Sequence, residues 1–197
     1  VTGNKNDYID AEAICEAASR PKTRYVAIKT VEQQVLSTQH RLREALVSHR
    51  TQTINRIHGF LLEFGIALPA TKAAMNQVHQ ILDDPAAELP QQLKSFIEHL
   101  LEEMKRLNDE IKAIDRSIKE QVDTDDAGTR LMSIPGIGPI IASALLADVG
   151  DASNFHSSRD FAASLGLVPR QYSTGDQTVL LNISKRGDKY LRKLMIQ

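Results

Sequence analysis

Three groups of residues have the types and spacing to do chemistry on a phosphate. The first lies in LGLVPRQYSTGDQTVLLNISKRGDKYLR, residues 165–192. Ser173 and Thr174 stand directly before Gly175, and Lys185-Arg186-Gly187 follows downstream. A serine hydroxyl can attack phosphorus and hold a strand as a phosphoester, which conserves the bond energy for rejoining. Such a step needs cations on the phosphoryl oxygens, and Arg170, Lys185, Arg186 and Arg192 can supply them. Gly175 and Gly187 would let backbone come close. The plainer reading of Ser173 is a turn serine.

The second group is Pro135-Gly136-Ile137-Gly138-Pro139, followed by IIASALLADVG. Glycines clear space where backbone must approach, and a helix that starts there points unpaired N–H groups out of the turn. Gly136, Ile137 and Gly138 can thus meet a phosphate without reading sequence. A glycine-rich turn between two packed helices is the alternative. The third group is Asp7 and Asp10, which share one face of a helix. The pair can hold a divalent cation if further acids join it; acids near a helix start also serve the helix dipole.

The elements that would position these groups are mainly helical. The composition, 42% hydrophobic with 5% aromatic and no Trp, suits aliphatic helix packing. NDYIDAEAICEAAS reads as a helix that ends before Arg20-Pro21, and TRYVAIK reads as extended. A long helix spans 30–64, with Val31, Val35, Leu42, Leu46, Ile57, Phe60, Leu61 and Phe64 at helical spacing and Gly65 to end it. A short helix covers 71–82, and Asp83-Asp84-Pro85 breaks it. Next, Leu93, Ile97, Leu100, Met104, Leu107, Ile111, Ile114 and Ile118 alternate steps of four and three. This is a heptad seam about 40 Å long, which must be covered by the 30–64 helix, by a second copy of the chain, or by both. Residues 123–128 form an acidic break. Beyond it come a helix, a tight turn and a helix, then a helix over 155–165, a loop or short hairpin, and a last helix from Lys189 to Ile196.

The net charge of −1 hides segregation. Residues 21–72 carry eight Lys/Arg against three Glu, residues 83–126 six against thirteen acids, and residues 156–197 seven against three Asp. Two basic ends flank an acidic middle, which admits a nucleic-acid partner that the sum alone would argue against. A lone Cys15 excludes an internal disulfide, fits a reducing cytoplasm and reads as a buried structural thiol. No apolar run approaches the roughly 20 residues that cross a bilayer, and no signal peptide is visible. The chain starts at Val1 and stops in a helical stretch, as a piece of a longer polypeptide would.

NDYIDAEAI, RPKTRYVAIKTVEQQ, IPGIGPIIASALLADVGD and GLVPRQYSTG with ISKRGDKYLR occur together and in order. In this the chain resembles the DEDD-type insertion-sequence transposases of bacteria, the family of RNA-guided serine recombinases. The resemblance implies an RNase H-like domain with four acids that bind Mg²⁺, a helical coiled coil, and a C-terminal transposase domain with a catalytic serine. It implies DNA and a structured guide RNA as partners, and subunits that work as dimers and tetramers. Asp7 and Asp10 match the last two acids, and Ser173 matches the serine, with Thr174 the candidate if the register shifts by one. The domain division that follows is 1–29, the end of the RNase H-like domain; 30–126, the coiled-coil region; and 127–197, the transposase domain with a motif resembling a helix-hairpin-helix.

The resemblance also gives Arg41, Arg43, Arg50 and Arg56 of the first long helix a role on an RNA or DNA backbone. The 93–118 seam becomes the surface of a homo-oligomer, with intrahelical pairs such as Glu102 with Arg106 accounting for much of the charge outside it. With two acids of four, Mg²⁺ would not be held stably, and the chain is expected to be a truncated, inactive piece of a cytoplasmic bacterial enzyme. Two rival readings are a non-catalytic DNA-binding protein that uses the glycine-rich turn, and a helical scaffold that only oligomerises.

Overall fold

The computed structural model describes residues 6–21, 27–69, 74–150, 152–175 and 177–196. The fold is mainly α. Helix α1 spans Asp7–Ser19, α2 Val31–Glu63, α3 Ala74–Asp83, α4 Gln91–Asp123, α5 Asp126–Met132, α6 Pro139–Asp148, α7 Ser158–Ser164 and α8 Lys189–Ile196. Strands β1 (Pro169–Gln171) and β2 (Leu180–Ile183) form one antiparallel pair between α7 and α8.

Local chemistry sets the helix ends. Asn6 caps α1 by accepting the Tyr8 N–H, and Thr30 forms a capping box with Gln33 at the start of α2. At the other end of α2, Gly65 takes φ +78°, the Gly65 N–H bonds the Leu62 carbonyl and the Ile66 N–H bonds that of Leu61. These two bonds are the Schellman pattern, and glycine is the residue that adopts its left-handed position without strain. The acidic break is shorter than its sequence suggests, because Asp125 accepts the Gly128 N–H at 2.7 Å and starts α5. Helix α7 begins at Ser158, later than the sequence suggests, because Ser157 caps it.

Helices α2 and α4, each 33 residues and about 50 Å long, lie antiparallel. Gln39 meets Ser117, Arg43 meets Asp115, and Arg50 meets Asn108. Toward one end, Ile57 and Leu61 of α2, Met75, Val78 and Leu82 of α3, and Leu93, Ile97 and Leu101 of α4 close a core. Toward the other, Ile118 and Val122 of α4 pack with Ala142 of α6, and Ala144 and Leu145 of α6 pack with Leu165 and Leu191. Helix α6 therefore contacts both long helices and joins them to the C-terminal elements.

Several expectations are corrected. Of the α4 seam, Leu93, Ile97, Leu107, Ile111 and Ile118 are buried within the single chain, whereas Leu100, Met104 and Ile114 are only partly buried. Leu101 rather than Leu100 is fully covered, because α3 widens the buried stripe there. On α2 the inward stripe is largely polar in its first half. His40 is buried, whereas Val31, Val35 and Leu42 stay more than half exposed. Cys15 is exposed because α1, whose apolar residues are spread around its circumference, buries none of its residues. Arg106 pairs with Glu110, not Glu102. Of the segment expected to be extended, 22–26 lie outside the described residues, as do 71–73 at the start of the expected third helix. Among the described residues no helix is long and apolar enough to cross a membrane.

Candidate nucleic-acid site

The serine segment is a hairpin. Pro169 pairs with Ile183 and Gln171 with Leu180, with an irregular register between them. The Tyr172 N–H reaches the Val179 carbonyl at 2.9 Å, and Thr174 bridges Gln177. Gly175, at φ +58°, turns the chain in open space. Ser173 and Thr174 are therefore exposed at the hairpin tip, and the Ser173 hydroxyl accepts a hydrogen bond from Gln171 Nε2 at 2.9 Å. Arg170 is exposed on β1.

The basic run beyond β2 is stapled to the end of α7. The Ser184 N–H donates to the Val168 carbonyl at 2.8 Å and the Lys185 N–H to that of Gly166 at 3.1 Å. Gly166 and Gly187 interlock: a Cβ on Gly166 would sit 2.0 Å from the Arg186 carbonyl oxygen, and one on Gly187 1.8 Å from that of Ser164. Gly187 thus serves backbone packing inside the chain, which differs from the phosphate approach expected of it. Lys185, at φ +55°, and Arg186 are exposed. Arg192 instead donates from Nη1 to the carbonyls of Leu165 at 3.0 Å and Arg186 at 3.3 Å, so it clamps the loop.

The glycine-rich turn joins α5 to α6. Gly136 takes φ +90°, and a Cβ at Gly136 or Gly138 would meet nothing within 4 Å, so that face is open. Gly138 caps α6 with extended backbone, no side chain bonds the cap, and Pro139 occupies the first turn. Ile137 has a different task from the one expected. Its N–H donates to the Ile134 carbonyl and its side chain packs on the core around Leu145, Leu165 and Leu191.

The arginines of α2 divide. Arg56 and Arg41 are exposed. Arg43 turns inward and bonds Asp115 from Nε at 2.5 Å, and Arg50 donates to Asn108 at 3.1 Å. Both were expected to face an RNA or DNA backbone. They lie instead on the stripe that meets α4, where carboxylate and amide partners offset their desolvation.

Asp7 and Asp10 occupy the exposed first turn of α1. Among the described residues no group of three or more His, Cys, Asp or Glu is gathered to hold a metal. Two monodentate carboxylates leave most of a hard cation's coordination to water, so these residues do not by themselves fit a resident Mg²⁺.

Reading the sequence missed a buried junction. His40 is 4% exposed; its Nδ1 lies 3.0 Å from the Tyr190 hydroxyl on α8 and its Nε2 3.1 Å from Ser143 Oγ on α6. Burial, reinforced by the nearby Arg43 charge, pushes the imidazole down to about 4, so it is neutral at ordinary pH. Burial likewise raises Tyr190. A cleft of about 600 Å³ opens beside the pair, with Lys29, Arg41, Lys189 and Lys193 on its walls. The signal was present in the sequence: Gln33, Ser37, His40 and Arg43 recur at steps of three and four. A polar stripe of that kind is not counted when only apolar residues are followed.

Two families of known proteins match separate parts of the chain. Residues 128–197 match the transposase IS116/IS110/IS902 family, and residues 1–66 match the DEDD transposases of the IS110 type. Over its whole length the chain is 48% identical to the transposase for insertion sequence element IS1328 of Yersinia enterocolitica, of which it covers 58%. The chain belongs to this family of insertion-sequence transposases. It is also 41% identical, again over its full length, to the transposase for insertion sequence element IS1111A of Coxiella burnetii, of which it covers 54%. The chain thus spans a little over half the length of these relatives.

Proposed function

We propose that this chain is the strand-holding part of an insertion-sequence transposase whose nucleophile is Ser173. In this reading the Ser173 Oγ attacks a DNA phosphorus and releases its proton to solvent. The bond from phosphorus to a deoxyribose oxygen breaks, and that oxygen takes up a proton. The strand is then held as a phosphoserine ester and rejoined by the reverse step. Arg170, Lys185 and Arg186 neutralise the phosphoryl oxygens. The observation that carries the reading is the exposure of the Ser173 hydroxyl at a hairpin tip on a basic, family-matched segment; a serine sealed in the core could not reach a phosphate. Thr174, exposed beside it, takes the role if the register is one residue different.

The turn at Gly136 to Gly138 serves this reading as a helix-hairpin-helix, with the first N–H groups of α6 toward the backbone of a strand. Arg56 and Arg41 extend the cationic surface along α2, whose antiparallel union with α4 is the coiled-coil element. A structured guide RNA and DNA both fit such a sequence-neutral surface. Asp7 and Asp10 contribute to a metal site that the chain does not complete alone, so the reading assigns nucleic-acid binding to this chain by itself and the Ser173 step to a protein in which that site is complete. Subunit pairing through the 93–118 seam would use its partly buried residues Leu100, Met104 and Ile114 and the surface beside them.

An electrophoretic shift with a DNA oligonucleotide at rising salt tests the binding. The reading predicts retention at low salt and a steep loss as salt rises. The salt slope should be shallower for Lys185→Ala/Arg186→Ala, by about one unit for each phosphate that is no longer neutralised. Unchanged binding in the double variant would remove that run from the interface.

A further inference from the structure

We propose that His40 is a positioning residue for the cationic segment 185–193: by bridging Tyr190 and Ser143 it fixes α8 on α2 and α6, and with it the place where Lys185, Arg186 and Lys189 present their charge. The inference rests on the reading that this segment holds a nucleic-acid backbone.

Helix α8 is only eight residues long, and Leu191 is its one fully buried residue among those described. A helix of that length is not stable alone and takes its position from what it packs on. The Lys193–Glu44 contact, 3.7 Å long between half-exposed side chains, holds it weakly. Asp188 accepts the Leu191 N–H and Arg192 ties the preceding loop to α7, but neither reaches the long helices. The tie to α2 is made where the Tyr190 hydroxyl meets His40, with the Arg43 guanidinium also facing that hydroxyl and Asp115 holding the guanidinium from α4.

Imidazole suits this place for a geometric reason. Its two nitrogens diverge, and in the neutral ring one donates while the other accepts. Each neighbouring hydroxyl can take either part, so one side chain satisfies a group on α6 and another on α8 at once. Removing it leaves Ser143 and Tyr190 without that partner in a largely buried site, which is the costly direction. The segment it fixes runs from Lys185 through Lys193, four of whose nine residues besides Arg192 are lysine or arginine.

The test uses the whole chain, a fluorescent single-stranded DNA at low salt, and amide hydrogen exchange of α8. Tyr190→Phe and His40→Gln, which remove the hydrogen bond at Nδ1, should weaken binding about three- to tenfold. Both should speed exchange in 189–196 and leave the α2 and α4 amides protected. His40→Asn places an amide where Nδ1 lies and should bind within about twofold of the parent. Equal weakening in His40→Asn and His40→Gln would mean that packing alone matters and would overturn the proposal. So would faster exchange of α8 with unchanged affinity. If the parent chain fails to bind, the reading of the segment fails instead, and the exchange of α8 in the Asn and Gln variants still decides whether His40 sets its position.

Discussion

Gly187 and His40 show how single residues fix this C-terminal unit. At Gly187, φ is +89° and a Cβ would stand 1.8 Å from the Ser164 carbonyl oxygen. Gly187→Ala therefore forces apart the loop and the end of α7, and we expect a destabilisation of at least about 2 kcal/mol in urea melts. His40 ties stability to pH. Its folded value of about 4 lies below its ordinary 6.5. Above pH 6.5 the ring is neutral in both states and stability is complete. As the pH falls from 6.5 toward 4 the unfolded chain binds a proton that the folded chain refuses, and stability drops, on the order of 3 kcal/mol in total. Melts at pH 7, 6, 5 and 4.5 should show this decline in the parent, with a flatter profile in His40→Asn. Equal slopes would assign the decline to other groups.

At the scale of elements, the two long helices owe their partnership to different chemistry along their length. Near the α3 end the contact is aliphatic, and Ile97, fully buried among Ile57, Leu61 and Val78, should lose about 2–5 kcal/mol on Ile97→Ala. In the middle, Arg43 with Asp115 and Arg50 with Asn108 add polar pairs beside the buried Leu107 and Ile111. This difference explains what could be read in advance. The α4 seam was legible because its apolar residues recur without a gap, and the helix ends at Thr30 and Gly65 were legible because capping and left-handed positions restrict residue type. The inward face of α2 was not, since a buried His or Arg is polar in sequence and only its partner, more than fifty residues away, makes burial tolerable. A different reason hid the roles of Arg192, Ile137 and Gly187. Each lies in a motif that suggests a phosphate, and each is used by a contact within the chain.

For the whole molecule, the charge map and the placement of Ser173 point in one direction. The basic termini remain at the surface through Arg41, Arg56, Arg170, Lys185 and Arg186, while part of the charge between α2 and α4 is consumed internally by Arg43 and Asp115. The account therefore predicts nucleic-acid affinity that depends on fewer cations than the sequence contains. Its central claim concerns the hydroxyl at the hairpin tip. The most direct measurement is a denaturing gel and peptide mass spectrum of a protein of the relatives' length that carries this chain, after incubation with insertion-sequence DNA, guide RNA and Mg²⁺. The account predicts a covalent DNA adduct on Ser173 that Ser173→Ala abolishes and Thr174→Ala leaves in place. An adduct that survives both substitutions, or strand exchange at full rate in the double variant, would contradict it.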